Sequence, residues 1–261
     1  MNRTTRLLQR FSLGVSVLVL GAAFAVPVTV NAIATTTNES AFCTALPTYQ
    51  PKITSNISDL TAKLTTARSQ QDQKIASDRA TEDQQVATNR SQWDQDRQTN
   101  FTKLMAKATT DGEKSAVTTY ESAITAAVTL RRSAYDNERA TFRSGVDSAI
   151  AAQRSTVDSQ VATLKSAVNA AVTTAQASCN ADSSAAGGPA IRNTFVASLK
   201  TARTAFVADR SSDAKLKDEI NQLAQTRDTA FKAADTAFEA TASAARTTLK
   251  AAFGASASSV Q

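Results

Sequence analysis

The sequence predicts an all-α protein: an elongated antiparallel three-helix bundle or coiled coil with an eleven-residue (hendecad) repeat, after an N-terminal signal or anchor segment. Three observations favour this fold. The chain of 261 residues has only 7 glycines and 4 prolines, a composition typical of long helices. Its two cysteines lie at equal distances from an Asp-Gly dipeptide, and apolar residues recur at intervals of eleven.

Residues 1–32 are predicted to be a signal peptide. The first ten residues contain three arginines, and an uncharged apolar run follows from Phe11 to Val26. Small residues after this run provide a cleavage site for a signal peptidase after Ala32 or Ala34. The apolar run almost reaches the length of a spanning helix, so a retained membrane anchor is the alternative. In both cases we expect export, to the periplasm, the cell surface or the medium. Residues 33–50 are expected to form a flexible N-terminal segment.

The two cysteines predict the direction of the first two helices. In an exported chain Cys43 and Cys179 are expected to form one disulfide. Bridged α-carbons lie only about 4.4–6.8 Å apart, so the chain must turn back between them. The midpoint falls on Asp111 and Gly112, a strong turn dipeptide. We therefore expect one helix over 51–109 and an antiparallel one over 113–178. A bridge between two chains of a homo-oligomer is the alternative.

A second turn and a third helix complete the predicted rod, which covers residues 51–254. Gly187, Gly188 and Pro189 predict the turn, a helix over 190–253 follows, and Gly254 ends it. Residues 255–261 are predicted to be a disordered tail. Helices of about 60 residues would each be ~90–100 Å long at 1.5 Å per residue.

The apolar pattern of the second helix has a period of eleven. One column of this pattern contains Ile124, Tyr135, Val146, Val157, Val168 and Cys179. Eleven residues in three turns, about 3.67 per turn, favour nearly straight helices or a slight right-handed supercoil. The sequence therefore predicts that this column faces the other helices.

The first helix has fewer apolar residues in its middle, where Trp93 is predicted to face the other helices, as is Met105 nearer its end. Arg68, Arg79 and Arg90 share one eleven-residue column. We favour arginine stems that cover neighbouring side chains while the guanidinium groups reach solvent or nearby acids. The alternative is a basic ladder that binds an anionic group or a partner helix.

The third helix carries a broad face of phenylalanines flanked by basic residues. It contains Phe195, Phe206, Phe231, Phe238 and Phe253. We expect this face to dock into the groove between the first two helices. The alternative is binding to a membrane surface, where basic flanks meet anionic lipid.

The composition argues against an enzyme. The chain has no histidine, and its sequence offers no nucleophile–base pair, metal-ligand cluster or glycine-rich phosphate loop, so we predict no catalytic site, cofactor or metal. Basic residues are spread among acidic ones, with no basic run longer than Arg131-Arg132, so no nucleic acid partner is expected. The predicted function is that of a spacer, scaffold or protein-interaction module whose partner is a protein or an envelope component. A homo-oligomer and a lipid-surface binder are the alternatives.

Overall fold

The computed structural model describes residues 41–181, 187–208 and 211–258, and within these ranges the fold is all-helical, as predicted. The helices are α1 (Ala41–Lys107), α2 (Asp111–Ala181), α3 (Gly188–Ala208) and α4 (Ser211–Ser258). The predicted signal or anchor segment and residues 33–40 lie outside the described residues. None of the described helices has an apolar stretch long enough to cross a membrane.

The described chain forms two compact units. The first lies within Met1–Asp78 and Ile150–Lys217, and the second within Arg79–Ala149 and Asp218–Gln261. In the first unit, buried residues of α1, α2 and α3 form one apolar core. Its largest buried side chains include Phe42, Leu46 and Leu60 of α1, Leu164 and Val168 of α2, and Phe195 and Leu199 of α3.

The core of the second unit is formed by α1, α2 and α4. Phe101, Ile124 and Ala242 form one buried cluster, against which Phe238 packs. A second cluster contains Ala108, Val117 and Leu249, and Phe253 packs against it. In both units the phenylalanines after position 190 therefore contact α1 and α2, which agrees with the docking expected from the sequence.

The predicted disulfide is confirmed, but α1 begins ten residues before its predicted start. Cys43 is bonded to Cys179, with 5.5 Å between the α-carbons. Residues 41–50, expected to be flexible, are helical even though Pro47 and Pro51 lie inside the helix. A proline in a helix interior costs about 3 kcal/mol. Here Phe42 and Leu46, 2% and 1% exposed, offset that cost by burial in the core.

The turn between α1 and α2 lies at residues 108–110, slightly before the predicted Asp111 and Gly112, which are the first residues of α2. The cause is a capping box. Thr110 Oγ1 accepts a hydrogen bond from the Glu113 amide at 3.2 Å, and Glu113 Oε2 accepts one from the Thr110 amide at 3.1 Å. The same oxygen also accepts hydrogen bonds from the amide and hydroxyl of Thr109, at 2.7 and 2.9 Å.

The predicted third helix is described as two helices, α3 and α4, with residues 209–210 outside the described ranges. Gly187 lies in a turn as predicted, whereas Gly188 and Pro189 are the first residues of α3. Proline fits this position because the first amides of a helix have no helical acceptor. The helix does not end at Gly254. It continues to Ser258, so most of the predicted tail is helical.

Replacing Glu113 by alanine is expected to destabilise the protein by about 1–3 kcal/mol. The Glu113 side chain is buried, and without its carboxylate the amides of Thr109 and Thr110 lose their hydrogen-bond acceptor. Urea unfolding would measure the change. Asp111→Ala is the matched control, since the Asp111 carboxylate is fully exposed and lies 3.8 Å from its partner Lys114. Equal effects of the two substitutions would contradict the structural role of the capping box.

Candidate functional site

The candidate site is a set of arginine–aspartate pairs between α1 and α2. In the second unit, the predicted Arg79 and Arg90 of α1 bind Asp147 and Asp136 of α2. The shortest distances between guanidinium nitrogen and carboxylate oxygen are 2.8 and 2.7 Å. Both pairs are bidentate, with second hydrogen bonds of 3.0 and 2.9 Å. Such forked pairs are among the stronger and more directional ion pairs in proteins.

The second unit also contains two pairs of opposite polarity. Here the arginine lies on α2 and the aspartate on α1. Arg143 binds Asp83 at 2.8 Å, and Arg132 binds Asp94 at 2.7 Å. The pairing is therefore reciprocal: the arginines of each helix donate hydrogen bonds to aspartates of the other helix.

The first unit repeats the arrangement with one pair of each polarity. The predicted Arg68 of α1 binds Asp158 at 2.9 Å, and Arg154 of α2 binds Asp72 at 2.6 Å. Arg68 also donates to the backbone carbonyl of Arg154 at 3.2 Å. The stems of these arginines are mostly covered, and their charged ends meet aspartates at the protein surface, as favoured from the sequence.

The paired residues follow one rule that was missed in the sequence. In both helices an arginine precedes an aspartate by four residues, and this motif recurs every eleven residues. The six copies are Arg68/Asp72, Arg79/Asp83, Arg90/Asp94, Arg132/Asp136, Arg143/Asp147 and Arg154/Asp158. Because α1 and α2 are antiparallel, each arginine of a copy faces an aspartate of a copy on the other helix. The spacing of four residues from arginine to aspartate is the signal in the sequence that identifies these pairs.

Arginine partners lower the pKa values of Asp72, Asp83, Asp94 and Asp136. The hydrogen bond from Arg132 has the largest effect on Asp94, and with a further bond from Arg97 it lowers the pKa of Asp94 from 3.8 to about 2. Arg154, Arg143 and Arg90 likewise lower the pKa values of their carboxylate partners, Asp72, Asp83 and Asp136. In each case burial opposes the arginine and is the smaller effect.

A less exposed ion pair lies beside these pairs in the second unit. Glu82 of α1 contacts Arg139 at 3.2 Å and Arg143 at 2.7 Å. Arg139 lies eleven residues after Val128 and eleven before Ile150, where an apolar residue is expected, and its side chain is only 14% exposed. An arginine can occupy this apolar position because Glu82 of α1 supplies the opposite charge.

A second polar cluster joins α2 to α4 in the same unit. Arg131 Nε donates to Asp235 at 2.6 Å, and the Tyr135 hydroxyl lies 2.8 Å from the same carboxylate. Burial, followed by this hydrogen bond, raises the pKa of Tyr135. The Tyr135 ring stacks on Phe231 with 4.1 Å between centroids. The sequence pattern did not predict this cluster, because Arg131, eleven residues after Tyr120 and eleven before Phe142, marks only a gap in an apolar column.

Two apolar residues expected between the helices are exposed instead. Trp93 is 45% exposed and Met105 is 36% exposed. At the level of Trp93, Arg132 and Asp94 occupy the contact between α1 and α2, so the ring lies at the protein surface. Across the described ranges, no group of three or more His, Cys, Asp or Glu residues is placed to hold a metal ion.

Exchanging the charges of Arg79 and Asp147 tests the pairing. Arg79→Asp and Asp147→Arg are each expected to lower the unfolding free energy by about 1 kcal/mol, because each brings like charges together, and the double variant should recover at least half of the loss. Lys74 and Asp78, which pair within α1 at 3.0 Å, provide the control exchange. A double variant no more stable than the singles would contradict a pairwise contribution.

Acid should weaken the protein over a defined range. The unfolded Asp94 carboxyl takes up a proton near 3.8, whereas the folded one stays ionised down to about 2, so the unfolded state binds more protons between these values. Stability should therefore fall as the pH drops through this window. Urea unfolding at several pH values should show a weaker dependence for Arg132→Gln, and an unchanged one for Lys103→Gln, which alters an exposed lysine of α1. An equal dependence in both variants would contradict the assignment.

The features of the molecule that bear on its function are the reciprocal ion pairs, the buried cores of the two units and the Cys43–Cys179 disulfide. No protein family model, curated protein or solved structure matches this chain.

Proposed function

We propose that the protein is an exported, non-enzymatic helical rod, built as a hendecad coiled coil, that serves as a spacer, scaffold or protein-interaction module at the cell envelope or outside the cell. The observation that carries this proposal is the reciprocal pairing of arginines and aspartates between α1 and α2. Along α1 the paired residues, from Arg68 to Asp94, follow one another at alternating spacings of four and seven residues, and within each unit they favour one alignment of α1 with α2. A constant alignment over many turns is what a spacer requires.

The pairing favours alignment of the helices over capture of an anion by Arg68, Arg79 and Arg90. The guanidinium group of each already donates to an aspartate of α2. A phosphate or carboxylate ligand would need the same donors and would have to displace that aspartate. We therefore place partner binding on the outward sides of the helices, where Leu130 is 73% exposed. The partner is a protein, a component of the envelope or a second copy of the chain.

Export is supported by two features. The N-terminal 32 residues have the basic start, apolar run and small residues of a signal segment. The Cys43–Cys179 disulfide belongs to the chemistry of oxidising compartments. The proposal covers both a cleaved signal, which would leave a free protein, and a retained one, which would leave a tethered stalk.

The second candidate is a protein that binds lipid surfaces. The observation that favours this candidate is the phenylalanine face of α3 and α4, which is apolar and has basic residues beside it. In the folded chain this face is occupied: Phe195 is only 2% exposed, and Phe238 packs against the core around Phe101. Lipid binding would therefore require the helices to separate from α1 and α2.

Small-angle X-ray scattering of the exported chain tests the rod. A rod of helices ~100 Å long would have a radius of gyration of about 30 Å, whereas a compact domain of this size would have one of about 17 Å. We expect the larger value in a monomer or small oligomer. A value near the compact one would contradict the spacer function.

Flotation with vesicles of phosphatidylethanolamine and phosphatidylglycerol tests the second candidate on the same sample. The spacer proposal predicts that the protein stays in the dense fraction and keeps its circular dichroism spectrum. Phe238→Ser, which removes part of the apolar face, is the control for any binding that occurs. Flotation of the native chain that Phe238→Ser abolishes would favour the lipid-binding function.

A further inference from the structure

Residues 41–51, here called the proline segment, cover one end of the core of the first unit. Phe42 and Leu46 are buried, and Tyr49 packs against the same core. Intervals of four and three residues place these side chains on one face of the helix. The Phe42 ring lies 5.7 Å from the Phe195 ring of α3, measured between centroids. The proline segment therefore closes an apolar surface that belongs to α2 and α3.

The backbone of the proline segment is weakly held. Pro47 and Pro51 lie inside the helix, and neither can donate to the carbonyl four residues before it. Both prolines are exposed, so their side chains add no burial in return. Cooperative helix formation is thus poorest where the segment joins the rest of α1, and the segment depends on side-chain contacts with α2 and α3, chiefly burial and the disulfide, to stay in place.

The disulfide sits within this weak segment. Cys43 lies between the two buried side chains and is bonded to Cys179 near the end of α2. Both cysteines are partly exposed, which leaves the bridge open to a thiol. Within the segment, the Gln176 amide donates a hydrogen bond of 2.7 Å to Gln50 at an exposed position. After the segment, the buried Leu60 and Leu64 hold α1 without help from the bridge.

We infer that the proline segment is a redox-controlled latch: reduction of the Cys43–Cys179 bridge releases residues 41–51 from the core and uncovers the apolar surface around Phe195, while the remainder of α1 stays paired with α2. The reductant is a dithiol. One of its thiolates attacks a sulfur of the bridge, forms a mixed disulfide and expels the other cysteine as a thiolate. Its second thiol then displaces the first cysteine, which leaves two protein thiols and one oxidised dithiol. This inference does not depend on the spacer function.

Hydrogen exchange of the exported chain with and without dithiothreitol tests the latch. Once the bridge is reduced, amides between residues 44 and 50 should exchange faster by on the order of a hundredfold. Amides between residues 60 and 107 should change by less than about threefold. Reduction of the prefolded chain avoids the risk that a cysteine variant fails to fold. Protection that survives reduction, or that is lost throughout α1 and α2, would overturn the inference.

A proline variant separates the latch from a general loss of stability. Pro47→Ala with Pro51→Ala restores two backbone donors at exposed positions. In the oxidised state the variant should exchange like the native chain. In the reduced state it should keep its segment protected to within about tenfold of the oxidised level, because the helix now holds without the bridge. Equal exchange of the reduced variant and the reduced native chain would show that the prolines are not what allows release.

Discussion

The arrangement of α1 and α2 depends on the pairing of arginine with aspartate in both directions. A single exposed ion pair contributes only about 0.2–1 kcal/mol, so these pairs are not the main source of stability. Their effect is on alignment. A shift of four residues in one direction would bring Arg79 opposite Arg143 instead of Asp147, and would replace attraction with repulsion. The middle of α1 has few apolar residues to define its alignment, and the ion pairs supply that definition.

Apolar burial and polar pairing are distributed differently in the two units. The first unit has a large core, in which Phe42, Leu164 and Phe195 belong to three different helices. The second unit has two smaller clusters, and beside them charged residues occupy positions in apolar columns. Arg131 and Arg139 are the residues concerned, and each meets a carboxylate on another helix. Such polar positions reduce the burial of apolar surface, and each arginine would be left as an uncompensated charge if its helix met a different face.

The sequence was sufficient to predict the features that are controlled by covalent geometry or by strong local rules. The disulfide and the antiparallel direction of α1 and α2 followed from two cysteines and the Asp-Gly dipeptide between them, because a bridge tolerates only a narrow range of distances. The start of α1 was not predicted, because Pro47 and Pro51 argue against a helix and only the burial of Phe42 and Leu46 overrides them. The exact turn was missed by a few residues, although Thr110 and Glu113 already formed a readable capping-box motif.

The ion pairs show why the candidate site was harder to predict than the fold. One column of arginines on α1 has the same appearance whether it faces solvent, a ligand or another helix, since the difference lies in the opposing residue. That residue can be identified only when the alignment of the two helices is known. The disulfide supplies an approximate alignment, and the aspartate four residues after each arginine supplies the exact one, because it requires a facing arginine in turn. The interval of eleven fits this pairing, because eleven residues make about three turns of a helix and return each motif to the same side.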